Sequence, residues 1–158
     1  MNRQPTWLRG ALVRPTALII GVALVCVAAG AGAQTAKPVS VWSGVYTAEQ
    51  NKRGAQLHSE TCVMCHGPQL NGAGQSEMPP SPAIARTTFI RKWAGRHVAA
   101  LFLYIRQTMP TDSPGILTDQ QTLDAIAHMF AVSNIPAGDR ELPLDMKALA
   151  NIVIEAPP

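Results

Sequence analysis

Cys62, Cys65 and His66 stand in the pattern Cys-x-x-Cys-His. Two thiols three positions apart share one helical turn, where each can add to one vinyl group of a haem. The neighbouring imidazole is then held beneath the iron, so five residues set both attachment and ligation. A structural disulfide, a thiol redox pair and half of a zinc site are the alternatives. The redox pair expects a βαβ setting, and a zinc site needs more ligands at knuckle spacing. Outside Cys62 and Cys65 the chain holds one further cysteine, Cys26, near its N-terminus.

The elements that must position this motif read as helices. Thr47 with Gln50 forms a capping-box pattern that opens a helix to about Glu60, running directly into Cys62. From Gly67 to Arg86 the residues Gly67, Pro68, Gly72, Gly74, Pro79, Pro80 and Pro82 predict an irregular loop, and a loop that long usually wraps something. Val98, Leu101, Phe102 and Ile105 then place an apolar stripe on one helix face, with a short helical turn around Thr88 to Lys92 before it. Pro110, Pro114 and Gly115 break the chain into a second loop over 108–117.

Thr118 and Gln121 repeat the capping-box pattern, and Leu123, Ile126, Ala127 and Phe130 form a second stripe closed by Asn134 to Gly138. Asp145 can cap a last short helix from Met146 to Ile154, although Ile152-Val153-Ile154 alone also suits a strand. No run alternates with period two for long, so the expected fold class is all-α.

The 158 residues, 47% of them hydrophobic, suffice for one domain with its own core but not comfortably for two. Arg3, Arg9 and Arg14, the uncharged run Ala17 to Ala29 and the small residues Ala31-Gly32-Ala33 make residues 1–33 an export signal pattern, with a mature chain starting at Gln34. Uncleaved, the same run would anchor the protein in a membrane, although a spanning helix wants about 20 apolar residues. A lipid-attachment role for Cys26 is disfavoured by Val25 before it, where a small residue is usual. Residues 34–46 read as a leader and 47–158 as the domain.

The signal segment holds three of the 13 basic and none of the 10 acidic side chains, leaving ten of each sign in the mature chain. The formal charge of +3 therefore belongs to the signal. A balanced domain lacks the basic face that nucleic-acid binding would want, and cleavage leaves Cys62 and Cys65 in a compartment that permits disulfides.

Gly44-Val45-Tyr46-Thr47 with Arg53-Gly54, then Cys65-His66-Gly67, Trp93, Thr108-Met109-Pro110 and Asn134-Ile135-Pro136-Ala137-Gly138 together resemble class I c-type cytochromes over about residues 44–154. More narrowly, the chain is similar to small cytochromes and cytochrome subunits that serve periplasmic dehydrogenases, including quinoprotein ones. The resemblance implies the class I cytochrome c fold, several short helices around one covalent haem c, and Met109 as the second iron ligand beside His66. Met109 lies 43 residues beyond His66 in a Pro-bounded loop, where a thioether is free to point at an iron. Met64, Met78, Met129 and Met146 are less well placed, and His58, His97 and His128 read by default as surface or satisfied histidines. The resemblance also implies a proline carbonyl that orients His66, for which Pro82 is the match, and a tryptophan packed near the haem, matched by Trp93. Arg86 departs from the pattern, standing where a glycine is expected.

With His66 and Met109 on the iron, the expected function is periplasmic one-electron transfer and not catalysis. A periplasmic dehydrogenase is the expected donor and a downstream cytochrome, oxidase or reductase the acceptor, with no nucleic acid, and membrane contact only if the N-terminal segment is uncleaved. A tightly bound subunit of a dehydrogenase complex is the alternative. A haem enzyme or gas sensor with an open iron position would require that Met109 not ligate.

Overall fold

The computed structural model describes residues 37–74, 76–77 and 81–158. The signal pattern over 1–33, its cleavage site and Cys26 lie outside the described residues, as do Met78, Pro79 and Pro80.

The described residues open with a two-residue strand β1 (Val39–Ser40) and a 3-10 turn (Val41–Ser43), followed by α1 (Ala48–Leu57), a π-helical turn (His58–Cys62) and α2 (Val63–His66). A loop leads to α3 (Arg86–Trp93), α4 (Val98–Thr108), α5 (Asp119–Val132), α6 (Met146–Ala150) and the short strand β2 (Ile152–Val153). Among the described residues the fold is all-α apart from this strand pair and an isolated bridge between His97 and Val153.

Both capping signals start their helices, but in different ways. At α5 the box is complete: the Gln121 N–H donates to Thr118 Oγ1 at 3.1 Å, and the Thr118 N–H to Gln121 Oε1 at 2.9 Å. At α1 the Gln50 N–H donates to Thr47 Oγ1 at 3.1 Å, whereas the Gln50 amide turns inward. There it accepts the Leu142 N–H at 2.9 Å and donates to the Leu142 carbonyl at 3.4 Å, fully buried. The buried backbone N–H and carbonyl of Leu142 need partners, and satisfying them outweighs closing the box.

The two predicted stripes form the core. Leu123, Ile126, Ala127 and Phe130 of α5 are all fully buried, and Val98, Leu101, Phe102 and Ile105 of α4 are no more than 8% exposed. The buried face of α1 consists of Gln50, Gly54 and Leu57, spaced at helical intervals, and Gly54 meets Asp124 of α5. Burying such stripes is the main favourable term holding short helices that would not persist alone.

Residues 39–46, expected as a leader, pack into the domain instead. Val41 is fully buried, Tyr46 is 2% exposed, and its hydroxyl donates to the Ile135 carbonyl at 2.7 Å. The parallel pairing of Val39 with Ile152 and Ser40 with Val153, with the Trp42 indole N–H on the Glu155 carbonyl at 3.1 Å, fastens this segment to the last one. The last stretch accordingly divides, with a helix ending at Ala150 and the Ile152-Val153 strand after it. Too short for a periodic signal, β1 shows itself only through its partner 113 residues away.

Candidate functional site

The lead-in to the cysteine motif is not one continuous α-helix. Five residues, His58–Cys62, form a π-helical turn between α1 and α2, a local widening that recurs at functional sites. Gly67 then takes the chain away from His66 at φ +73°, and a Cβ there would collide with the Ala73 carbonyl. Two backbone bonds fix the exit: the Gly72 N–H donates to the His66 carbonyl at 3.0 Å and the Ile84 N–H to Leu70 at 2.8 Å.

The loop so held brings Pro82 over the imidazole. His66 is 9% exposed, and its Nδ1 lies 3.2 Å from the Pro82 carbonyl oxygen. A carbonyl only accepts, so Nδ1 carries the hydrogen and Nε2 keeps a free lone pair, the state a metal requires. Burial also holds the His66 pKa below the usual histidine value. Cys62 and Cys65 are free thiols, each partly buried, and burial, with Cys65 nearby, pushes Cys62 up to about 11.

Met109 follows the last turn of α4 and packs, half-buried, against the core. Its loop is pinned by Arg106, which donates from Nε to Asp119 at 2.9 Å and from its guanidinium to the Gly115 carbonyl at 2.7 Å. Trp93 is 7% exposed and meets Tyr104 edge-on at 5.7 Å between ring centroids.

These groups converge on one cavity of about 470 Å³, whose wall includes Cys62, Cys65, His66, Pro82, Trp93 and Met109. Single-cofactor sites typically occupy about 300–1,000 Å³ and are mostly apolar with a few placed polar groups. Residues 49–129 match the family described as cytochrome C oxidase, cbb3-type, subunit III. The chain belongs to that family.

Family membership makes it a monohaem c-type cytochrome, carrying covalent haem c and its iron and transferring electrons. No curated protein matches it. Among solved structures, the sulfane dehydrogenase SoxCD from Paracoccus pantotrophus is similar at a TM-score of 0.46 and 15% identity, over 72% of this chain and 61% of that one. The cytochrome thus spans less than two thirds of that relative's length.

The cavity suits the group on its own chemistry. It presents two unpaired thiols, one imidazole with an oriented lone pair and one thioether among apolar neighbours such as Leu101, Ile105 and Leu117. Among the described residues, the cavity-wall atom His58 Nε2 is buried without a hydrogen-bond partner.

Of the other methionines weighed, Met64 and Met129 also reach the wall. Met64 is 49% exposed, inside the motif, and Met129 is 5% exposed, in the α5 core stripe. His97 is exposed, whereas His58 and His128 both face the cavity; His128 is hydrogen-bonded to Asn51, as a satisfied histidine would be, and only His58, with its buried Nε2 unpartnered among the described residues, departs from that reading. The signal that locates them is positional. Gly54 and His58 are four apart on α1 and its extension, and Asp124 and His128 are four apart on α5, so the contact of Gly54 with Asp124 brings the two imidazoles together.

Proposed function

We propose that this cytochrome is an exported one-electron carrier whose haem would be held by Cys62, Cys65 and His66, with Met109 as the second iron ligand. It works in the periplasm between a dehydrogenase and a downstream cytochrome or oxidase. The observation that carries the ligand assignment is that both motif thiols, the Pro82-oriented imidazole and the Met109 thioether line one cavity.

When bound, haem c supplies an iron that exchanges single electrons. Cys62 and Cys65 would hold the group through their sulfurs, and His66 offers Nε2 because Pro82 holds its Nδ1–H. A Met109 sulfur on the iron would favour the reduced state and raise the potential. Leu101, Ile105 and Leu117 exclude water, which limits rearrangement as charge changes. Were His66 and Met109 both to hold the iron, no position would remain on it for a substrate, which supports a carrier role over catalysis. Transient partners of such a carrier meet through small contacts.

A second reading, a permanently bound subunit of a dehydrogenase complex, draws on the balanced side-chain charge and on exposed apolar residues. Ile116 is 61% and Leu144 64% exposed. Gel filtration of native protein distinguishes the two, since a monomer at every concentration counts against the subunit.

The test of attachment is acid extraction followed by intact mass. Colour and added mass must stay with the wild-type polypeptide, and both must leave it in the Cys62→Ser, Cys65→Ser double variant. A wild-type chain of bare polypeptide mass overturns the proposal. The precursor and mature masses from the same spectrum also test removal of residues 1–33.

A further inference from the structure

We infer that the cytochrome has a proton-binding site beside its haem, formed by His58 and His128, so that gaining an electron draws a proton onto this pair. The inference rests on the haem occupying the cavity proposed above.

The two rings lie 5.4 Å apart between centroids, tilted by 42°, and both line the cavity. His58 is 6% exposed, and its Nε2 is the buried side-chain nitrogen or oxygen left without a partner among the described residues. His128 Nδ1 lies 2.9 Å from Asn51 Oδ1. Because the amide oxygen accepts, that nitrogen donates and His128 Nε2 keeps a lone pair. The pair therefore has spare capacity for a proton.

A helix crossing gains most from apolar side chains, and a pair of leucines here would leave no orphaned atom. Two imidazoles are a poor choice for packing alone, because a buried polar atom without a partner is destabilising.

The surroundings leave the pair free to respond to the iron. On α1, Asn51 is neutral, and Arg53 is committed to Asp124 and Glu141. Asp124, from α5, is neutralised by that contact. On α2 and the preceding turn, Cys62, Cys65 and His66 are taken up by the cofactor. From α3, Lys92 sits on the cavity wall over the Tyr104 ring of α4, and Asp112 reaches the wall from the loop before α5. Neither imidazole is hydrogen-bonded to a carboxylate, to His66 or to Met109.

Burial lowers the proton affinity of both rings; the Gly67 backbone raises that of His58 in part and the nearby His66 lowers it, while His58 lowers that of His128, so the pair is neutral at neutral pH. One negative unit added within the same low-dielectric cavity favours the charged form. The balance is simple. One electron enters from the donor, one proton comes from solvent to an imidazole nitrogen, and both leave on reoxidation with no other bond broken.

The test measures the midpoint potential of the holoprotein against pH in wild type, in the His58→Leu, His128→Leu double variant, and in single His58→Gln and His128→Gln variants should the double variant fold poorly. Wild type should show a step in which potential rises as pH falls. A tenfold tighter proton affinity in the reduced state corresponds to a total change of about 59 mV between plateaus. Imidazole resonances of His58 or His128 should titrate at higher pH in the reduced protein, and the step should vanish or shift in the variants. A step that survives every variant unchanged, or imidazoles that titrate alike in both redox states, overturns the inference while the haem spectrum keeps the carrier reading intact. A colourless protein overturns both.

Discussion

Gly54 of α1 meets the Asp124 carbonyl of α5 with no room for a side chain between them. A Cβ at Gly54 would collide with that carbonyl and stand 2.9 Å from the His128 Cβ. The Gly54→Ala variant should therefore force the helices apart despite alanine's better helix propensity, at a net cost of about 1–3 kcal/mol. Urea unfolding of the holoprotein checks this, and an unchanged midpoint would show that the crossing yields.

Beside that crossing, Arg53 donates from Nε at 3.0 Å and Nη2 at 2.9 Å to the two oxygens of Asp124, which is 5% exposed. Arg53→Ala strands a buried carboxylate with Gln120 as its remaining partner, and stability should fall by about 1–3 kcal/mol. Arg53→Lys should recover little, because an ammonium cannot reproduce the fork. Calorimetry of both variants decides it.

Met109→Ala should abolish the long-wavelength absorption of sulfur-bound ferric iron and lower the potential, with haem still attached. Met129→Leu should leave the band in place, since Met129 belongs to the α5 core stripe. Survival of the band in Met109→Ala would reject the ligand assignment and revive an enzyme or sensor with an open iron position.

Arg86 sits at φ +61° while its N–H donates to Ser133 Oγ at 2.7 Å. The left-handed region costs a side-chain-bearing residue roughly 1–2 kcal/mol, part of which glycine forfeits through its freer unfolded chain. Arg86→Gly should then raise the melting temperature, and Arg86→Val should lower it.

Burial depresses the pKa of both His58 and His128 below the ordinary value near 6.5. The unfolded chain thus binds protons first on acidification, so stability is highest above about pH 6.5 and falls as pH drops below it. Denaturation of the oxidised holoprotein across that window checks the sign. The His58→Leu, His128→Leu variant should show a flatter profile.

Much of the site was legible because it is local. Cys62 to His66 carries its chemistry within five positions, and the stripes on α4 and α5 repeat at helical spacing. Pro82 as the partner of His66 depended on how the intervening loop folds, which crowded prolines leave open until Gly67, Leu70 and Gly72 make their backbone bonds. The roles of Gln50 and of Val39 to Tyr46 were illegible for a different reason. Their partners, Leu142, Ile135 and Ile152, lie near the other end of the chain, and no periodicity records such a meeting. His58 and His128 were individually ordinary, and only the close crossing at Gly54 makes them neighbours.

The pairing of the first strand with the last has a consequence for the order of assembly. As the chain is delivered from its N-terminus, Val39 and Ser40 emerge early and wait for Ile152 and Val153, and α1 waits likewise for α5. Long-range contacts of this kind form late. During that interval α5, which supplies part of the cavity wall, has not yet closed on α1, so the space beside Cys62 and Cys65 stays open until the later helix arrives.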